Sequence, residues 1–254
     1  MEPSTLTDPE KGTNFLDHLE ALRNVLLKSA GCFLLFCIPA WYFSGDILQL
    51  ILTHAAPEGF KLHYFTIMEP FFTLLKITLI LALTASIPFI IGWVWGFIVP
   101  GLTADERKKL AFPVFLMFFL ALGGAAVAIF FILPAMITFS MSFAGYSLEP
   151  VIGIGEFVSL IMVIILAAMA MFQFPVILLG LLTTGIINPD MVKSKRAHVV
   201  VAIFILAAIF SPPDVFSQLL LAVPTYILFE ATLIFYAFRE KKSDPNRMIY
   251  QDIE

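Results

Sequence analysis

The chain has 254 residues, of which 60% are hydrophobic and 13% are charged, and its mean hydropathy is +0.95. Soluble domains are about half apolar and a quarter charged, so this composition excludes an ordinary soluble protein. Several apolar runs also exceed the roughly 18 residues that indicate a membrane-spanning helix. The sequence therefore predicts an integral membrane protein.

Six apolar segments predict an all-α membrane protein with six spanning helices. In chain order they cover residues 25–43, 70–99, 113–140, 157–183, 198–210 and 215–238. The fifth is about 13 residues, or roughly 20 Å of helix, against a hydrocarbon core near 30 Å. Pro224 and Glu230 interrupt the sixth. We therefore expect a short fifth and a short sixth helix, which either thin the membrane locally or are sheltered by other helices.

Prolines inside or at the ends of these segments predict kinked helices, because each removes a backbone hydrogen bond. Bent helices can enclose a concave surface. The prolines concerned are Pro39, Pro88, Pro134, Pro175 and Pro224.

The basic residues are sorted between the two ends of the predicted helices. One end carries Lys11, Arg23, Lys28, Arg107, Lys108, Lys109, Lys193, Lys195, Arg196, Arg239, Lys241, Lys242 and Arg247. The other end carries Lys61, and Lys76 lies within the second helix, from which its side chain can snorkel outward. Positive flanks stay in the cytoplasm, so both termini are expected there. Residues 1–254 then form one polytopic domain, with a cytoplasmic amphipathic lead-in at 1–24 and a cytoplasmic tail at 239–254.

Motifs for catalysis or cofactor binding are missing from the sequence. It has no GxxxxGK[ST] loop for nucleotide phosphates, and its histidines lack the HExxH or cysteine-rich spacing of a zinc site. We expect no enzymatic activity, no metal, no cofactor and no nucleic-acid partner. A small-solute secondary transporter is the alternative, although the interior offers mainly Lys76 and Glu230 as ionisable groups.

Polar clusters lie at three helix ends, and each has a simple structural explanation. In NFLDHLEALRNVL, Glu20 and Arg23 fit a solvated helix face with a weak local ion pair. In FIVPGLTADERKKL, Thr103 and Glu106 fit a capping box. In SPPDVFSQ, Asp214 can stabilise the N-terminus of the next helix.

These clusters and the motifs MEPFF, FQFP, INPD with KSKR, and LLAVPTYILFE occur in an order that resembles the TatC family, the receptor subunit of the twin-arginine protein translocase. The resemblance implies a multi-pass receptor in the bacterial cytoplasmic (inner) membrane that binds signal peptides bearing paired arginines. It also implies an oligomeric complex in the lipid bilayer with small single-span subunits of the TatA and TatB type. That complex passes folded proteins across the membrane using the proton-motive force.

The resemblance, together with the charged residues that lie within the predicted helices, gives two sets of candidate residues. The set for signal-peptide binding is Glu106, Arg107, Phe97, Pro100, Glu20 and Arg23. The set for translocation or intramembrane polar contacts is Gln173, Asp214, Glu69 and Lys76. A carboxylate such as Glu106 can accept two hydrogen bonds from a planar guanidinium, which suits an arginine-bearing ligand.

The sequence departs from the usual family pattern at two positions. Ala21 stands where the first motif usually has an acid, and Glu20 lies one residue earlier, about 100° around a helix. Gln173 stands where the fourth helix usually has Glu. We predict that Gln173 lies in the concave interior, contacts another helix or a passing signal peptide, and keeps a hydrogen-bonding role without titrating. The alternative is a purely structural bond between helices.

Overall fold

A computed structural model describes the backbone of residues 9–55, 62–99, 103–143, 151–212 and 214–243, and the side chains of 18–54, 62–99, 103–143, 151–212 and 214–239. The described chain is almost entirely helical, which confirms the all-α prediction. The helices are α1 (Pro9–Ala55), α2 (Glu69–Ile98), α3 (Ala104–Val127), α4 (Leu133–Ser142), α5 (Ile154–Met171), α6 (Gln173–Thr184), α7 (Pro189–Ser194), α8 (Arg196–Phe210) and α9 (Val215–Ser243). A π-helical turn, Ala128–Ile132, joins α3 to α4. Two short strands, β1 (Leu62–His63) and β2 (Ile152–Gly153), were not predicted.

Within the described residues, five helical stretches are long and apolar enough to cross a membrane. They are His18–His54, Glu69–Ile98, Ala104–Ser142, Ile154–Thr184 and Val215–Arg239. Such runs become helices because only a helix pairs every backbone group within hydrocarbon without a neighbouring strand. The remaining apolar helix, α8, has 15 residues, so the fifth predicted helix is short as expected.

The prediction of a short sixth helix is wrong, because α9 continues for 29 residues. Both residues that were expected to interrupt it fit within the helix. Pro224 removes a single donor, which a long helix tolerates in a membrane protein. Glu230 accepts a hydrogen bond from the Tyr226 hydroxyl at 3.1 Å and pairs with Arg196 of α8 at 3.5 Å.

Regular helix is interrupted at two of the prolines that predicted kinks. The π-helical turn directly precedes the Pro134 turn, and Phe172 separates α5 from α6 just before Pro175. A proline leaves the carbonyl four residues earlier without its usual partner, and a wider or broken turn accommodates this loss. The other three, Pro39, Pro88 and Pro224, lie within continuous α-helix.

The stretch formed by α5 and α6 is the centre of the bundle. In the most apolar part of this stretch 56% of the residues are buried, against 6% to 28% in the other four long stretches. Helix α3 packs closely against α5 at Gly124, where an added Cβ would lie 2.7 Å from the carbonyl oxygen of Ala168. Only glycine allows this approach, which is typical of helix pairs in membranes.

The described ends of the helices lie at two opposite ends of the bundle. At the strand end, β1 pairs in parallel with β2, with Leu62 opposite Ile152. At the other end, His18 stacks on Phe97 with ring centroids 4.3 Å apart. Glu106 and Thr184 line one cavity there, so the start of α3 and the end of α6 also meet. We call this the basic end, because the Arg107–Lys109 and Lys193–Arg196 segments lie at it.

Candidate functional site

An apolar cavity of about 400 Å³ lies between α2, α3 and α6 at the basic end. Its walls include Val94, Trp95, Leu110 and Val114, and Glu106 is the one charged residue among the described residues that line it. A carboxylate at the edge of an apolar cavity is an arrangement that fixes the orientation of a ligand with both charged and apolar parts.

A second apolar cavity, of about 740 Å³, continues toward the middle of the bundle. It shares three lining residues, Ile91, Met117 and Ile177, with the first cavity, and Gln173 lines it. The two cavities therefore form one groove that runs from Glu106 at the basic end to Gln173. We call it the main groove.

Glu106 caps α3 through a single carboxylate oxygen. Its Oε2 accepts hydrogen bonds from the Thr103 N–H and the Thr103 hydroxyl, both at 2.8 Å. The Glu106 N–H donates to Thr103 Oγ1 at 3.4 Å, which completes the predicted capping box. Its Oε1 has no hydrogen-bond partner within the part of the chain that the structure describes. Capping and the binding of a cationic ligand are therefore compatible.

The other described members of the predicted peptide-binding set also lie at the basic end. Arg107 is exposed and makes no ion pair with the described residues. Phe97 is half-buried under His18. Glu20 and Arg23 are both exposed on α1, as on a solvated helix face, and these two described side chains form no ion pair with each other. Pro100 lies outside the described residues.

Gln173 is half-buried at the start of α6. Its Nε2 donates to the carbonyl oxygens of Met117 on α3, at 3.2 Å, and Met169 on α5, at 3.4 Å. The amide thus joins two other helices while its side chain lines the main groove. The bond to Met117 is a contact between helices, which both the predicted role and the structural alternative allow, so the role of Gln173 stays a prediction.

Glu69 and Lys76 lie away from the main groove, in a polar cluster at the strand end that we call the clasp. Glu69 Oε2 accepts from the Phe65 N–H at 2.7 Å and the Thr66 N–H at 3.3 Å, and its Oε1 accepts from the Gly155 N–H at 2.8 Å. Lys76 donates to the Gly155 carbonyl at 3.3 Å and to the Ser159 hydroxyl at 2.6 Å. The clasp ties the start of α2 to the start of α5.

The partners of Glu69 and Lys76 in the clasp, Gly155 and Ser159, were not predicted from the sequence. Gly155 has no Cβ, and one added there would lie 2.8 Å from Glu69 Oε1. The paired glycines in VIGIGEF, directly before an apolar helix, were the available signal of a close approach.

Asp214 is an exposed helix cap, as predicted. Its Oδ1 accepts from the Ser217 N–H at 2.7 Å, in the first turn of α9. The four residues of the predicted translocation set therefore occupy three places: Gln173 in the main groove, Glu69 and Lys76 in the clasp, and Asp214 at the start of α9.

We expect Glu69→Gln to destabilise the purified protein, measured as a lower denaturant midpoint for its unfolding in detergent. Both carboxylate oxygens accept backbone hydrogen bonds, and an amide keeps only one acceptor, so a backbone N–H loses its partner. Glu156→Gln is the matched control, because Glu156 is an exposed acid in the first turn of α5. Equal stability of the two variants would contradict a role for the clasp in stability.

A family model described as Sec-independent protein translocase protein (TatC) matches residues 17–224. This chain belongs to the TatC family. The TatC protein of Haemophilus influenzae is 30% identical over 250 residues, which cover 97% of this chain and 98% of that protein. The TatC protein of Escherichia coli K12 is 33% identical over 230 residues, 88% of each chain.

Solved structures agree with the TatC assignment. A crystal structure of the twin-arginine translocase receptor TatC in DDM aligns with a TM-score of 0.75 and 27% identity, over 86% of this chain and 98% of that chain. A second TatC receptor structure gives a TM-score of 0.72 and 29% identity. The predicted family is confirmed, and the chain is a multi-pass membrane protein of the TatC translocase family.

Proposed function

We propose that this chain is the signal-peptide receptor and core subunit of a twin-arginine translocase. In this role it moves folded proteins across the bacterial cytoplasmic membrane, driven by the proton-motive force, and catalyses no chemical reaction. The observation that carries the proposal is the position of Glu106 at the basic end of the apolar main groove.

The groove is chemically complementary to a twin-arginine signal peptide, which carries adjacent guanidinium groups and an apolar segment. Glu106 Oε1 is available to accept hydrogen bonds from a guanidinium, because the cap uses Oε2. The apolar segment then lies along the walls that lead toward Gln173. Arg107, exposed beside Glu106, can donate to backbone carbonyls of the peptide.

The test is binding of a fluorescent signal peptide to the purified protein in detergent. We expect the twin-arginine peptide to bind more tightly than its twin-lysine version, because lysine lacks the planar fork of donors. Equal binding of the two peptides, or binding of neither, would overturn the proposal. A small-solute secondary transporter, which the TatC relatives do not favour, would give no preference for arginine.

The proposed assembly follows from the family and from the sorting of charge. We count the short α8 as a crossing beside the five long stretches, which makes six, and we place the basic end and both termini in the cytoplasm on the support of the charge sorting. The apolar outer surfaces, among them Leu34, Leu35 and Ile38 of α1, contact lipid or other subunits. We assign those subunits to the small single-span TatA and TatB types, in an oligomeric complex.

Cysteine labelling tests this orientation in intact cells. In a variant without Cys32 and Cys37, single cysteines at Tyr64 and Val151 of the strand end should react with an impermeant maleimide. Cysteines at Ala104 and Ser194 of the basic end should react only after the cells are permeabilised. All four positions are exposed, so access through the membrane decides the result. Labelling of Ala104 in intact cells would contradict the orientation.

A further inference from the structure

A smaller apolar groove lies at the basic end between α6, α7 and α8. Its volume is about 280 Å³, and its lining includes Leu178, Ile187, Met191 and Val199. Lys195 is the one charged side chain among the described residues that line it. We call it the α6–α8 groove.

The neighbouring basic residues of this segment are already paired, whereas Lys195 is not. Lys193 lies 3.5 Å from Asp190, and Arg196 lies 3.5 Å from Glu230. Lys195 is exposed and forms no ion pair with any described residue. The groove therefore combines apolar walls with one unneutralised cation at its edge.

We infer that the α6–α8 groove binds an anionic phospholipid, with the lipid phosphate at Lys195 and an acyl chain along the apolar walls. Basic pockets between spanning helices on the cytoplasmic side are the sites where anionic headgroups bind. Met191 is 55% exposed, so the groove is accessible to lipid at its α7 side. A twin-arginine peptide is disfavoured here, because it would bring further positive charge to the Lys193–Arg196 segment.

Lipid binding in the α6–α8 groove requires an anionic leaflet at the basic end, but it does not require that the chain binds signal peptides. The lipid proposal and the proposed receptor function can therefore fail independently. The experiment measures retention of phosphatidylglycerol, and of phosphatidylcholine with the same acyl chains, by native mass spectrometry of the purified protein. We expect stronger retention of phosphatidylglycerol. Lys195→Gln should weaken that affinity about five-fold, the effect of about one basic residue near an anionic surface. Lys108→Gln, which removes an exposed cation from α3, is the control and should change nothing.

A second variant tests the apolar part of the site and covers the case in which Lys195→Gln does not fold. Val199→Phe should fill the groove and lower phosphatidylglycerol retention while Lys195 stays charged. Equal retention of both lipids, or equal effects of Lys195→Gln and Lys108→Gln, would overturn the inference. Competition by soluble glycerophosphoglycerol as strong as by the intact lipid would do the same, since it would remove any role for the acyl chain. A photo-crosslinker at Met191 should give a lipid adduct, and a protein adduct instead would assign the groove to another subunit.

Discussion

Glu106→Gln should leave the protein folded and inserted in the membrane while weakening its affinity for a twin-arginine signal peptide by about ten- to one-hundred-fold. A loss of this size is expected because a hydrogen bond between two charged groups is stronger than one to a neutral amide. Glutamine can still cap α3 through its one oxygen, because the capping box accepts Gln as well as Glu. The variant therefore removes the charge and keeps the cap. Fluorescence anisotropy of a labelled peptide with the detergent-solubilised protein measures the affinity.

Asp105→Asn is the matched control for this prediction. Asp105 is the neighbouring acid in the same first turn of α3, and it is exposed and does not line the main groove. Its neutralisation should change the peptide affinity by less than about two-fold, the range expected of a screened surface charge. If Glu106→Gln binds the peptide as tightly as Asp105→Asn does, Glu106 acts only as a helix cap.

Gln173→Leu should reduce export of a twin-arginine cargo roughly five-fold or more. A change of this size corresponds to the loss of one hydrogen bond of about 1 kcal/mol at the export step in which Gln173 takes part. Leucine removes the donor that bonds the Met117 carbonyl, and with it the polar side chain that lines the second cavity of the main groove. Gln173→Glu should support export, because a protonated Glu is nearly isosteric with Gln and offers one donor and one acceptor. Export of a folded reporter from cells measures both variants.

Stability measurements separate a functional role of Gln173 from a structural one. Polar contacts between membrane helices contribute about 0.6 kcal/mol on average, so Gln173→Leu should assemble and unfold nearly as the parent does. Thr183→Val is the control, since among the described residues the Thr183 hydroxyl donates only to the Gly180 carbonyl of its own helix. Normal export by Gln173→Leu would refute a necessary polar role. If Gln173→Leu loses both export and stability, the role of Gln173 is the structural bond between helices.

Features set by local chemistry were predictable from the sequence. The order of the apolar helices followed from hydrophobic length, and the caps at Glu106 and Asp214 followed from spacing within one turn. The amphipathic segment before the first span also continues into α1, as its helical periodicity indicated. These features depend on residues a few positions apart, for which periodicity is informative.

Features that join distant parts of the chain were not predictable in the same way. Lys76 binds Ser159 across 83 residues, and Gln173 binds the Met117 carbonyl across 56. The main groove likewise depends on how α2, α3 and α6 pack, which no single segment encodes. The length of α9 was underestimated for a related reason, because Arg196 of α8 and Tyr226 together satisfy the Glu230 carboxylate within the helix.

Site-specific photo-crosslinking along the main groove tests the central claim most directly. A photoreactive residue at Leu110, in the cavity beside Glu106, should crosslink to the signal peptide next to its paired arginines. One at Leu166, which lines the cavity with Gln173, should crosslink to the apolar segment of the peptide. One at Phe115, an exposed residue of α3 outside both cavities, should give little peptide adduct. Equal crosslinking at all three positions, or peptide adducts at Phe115 alone, would contradict binding of the signal peptide in the groove.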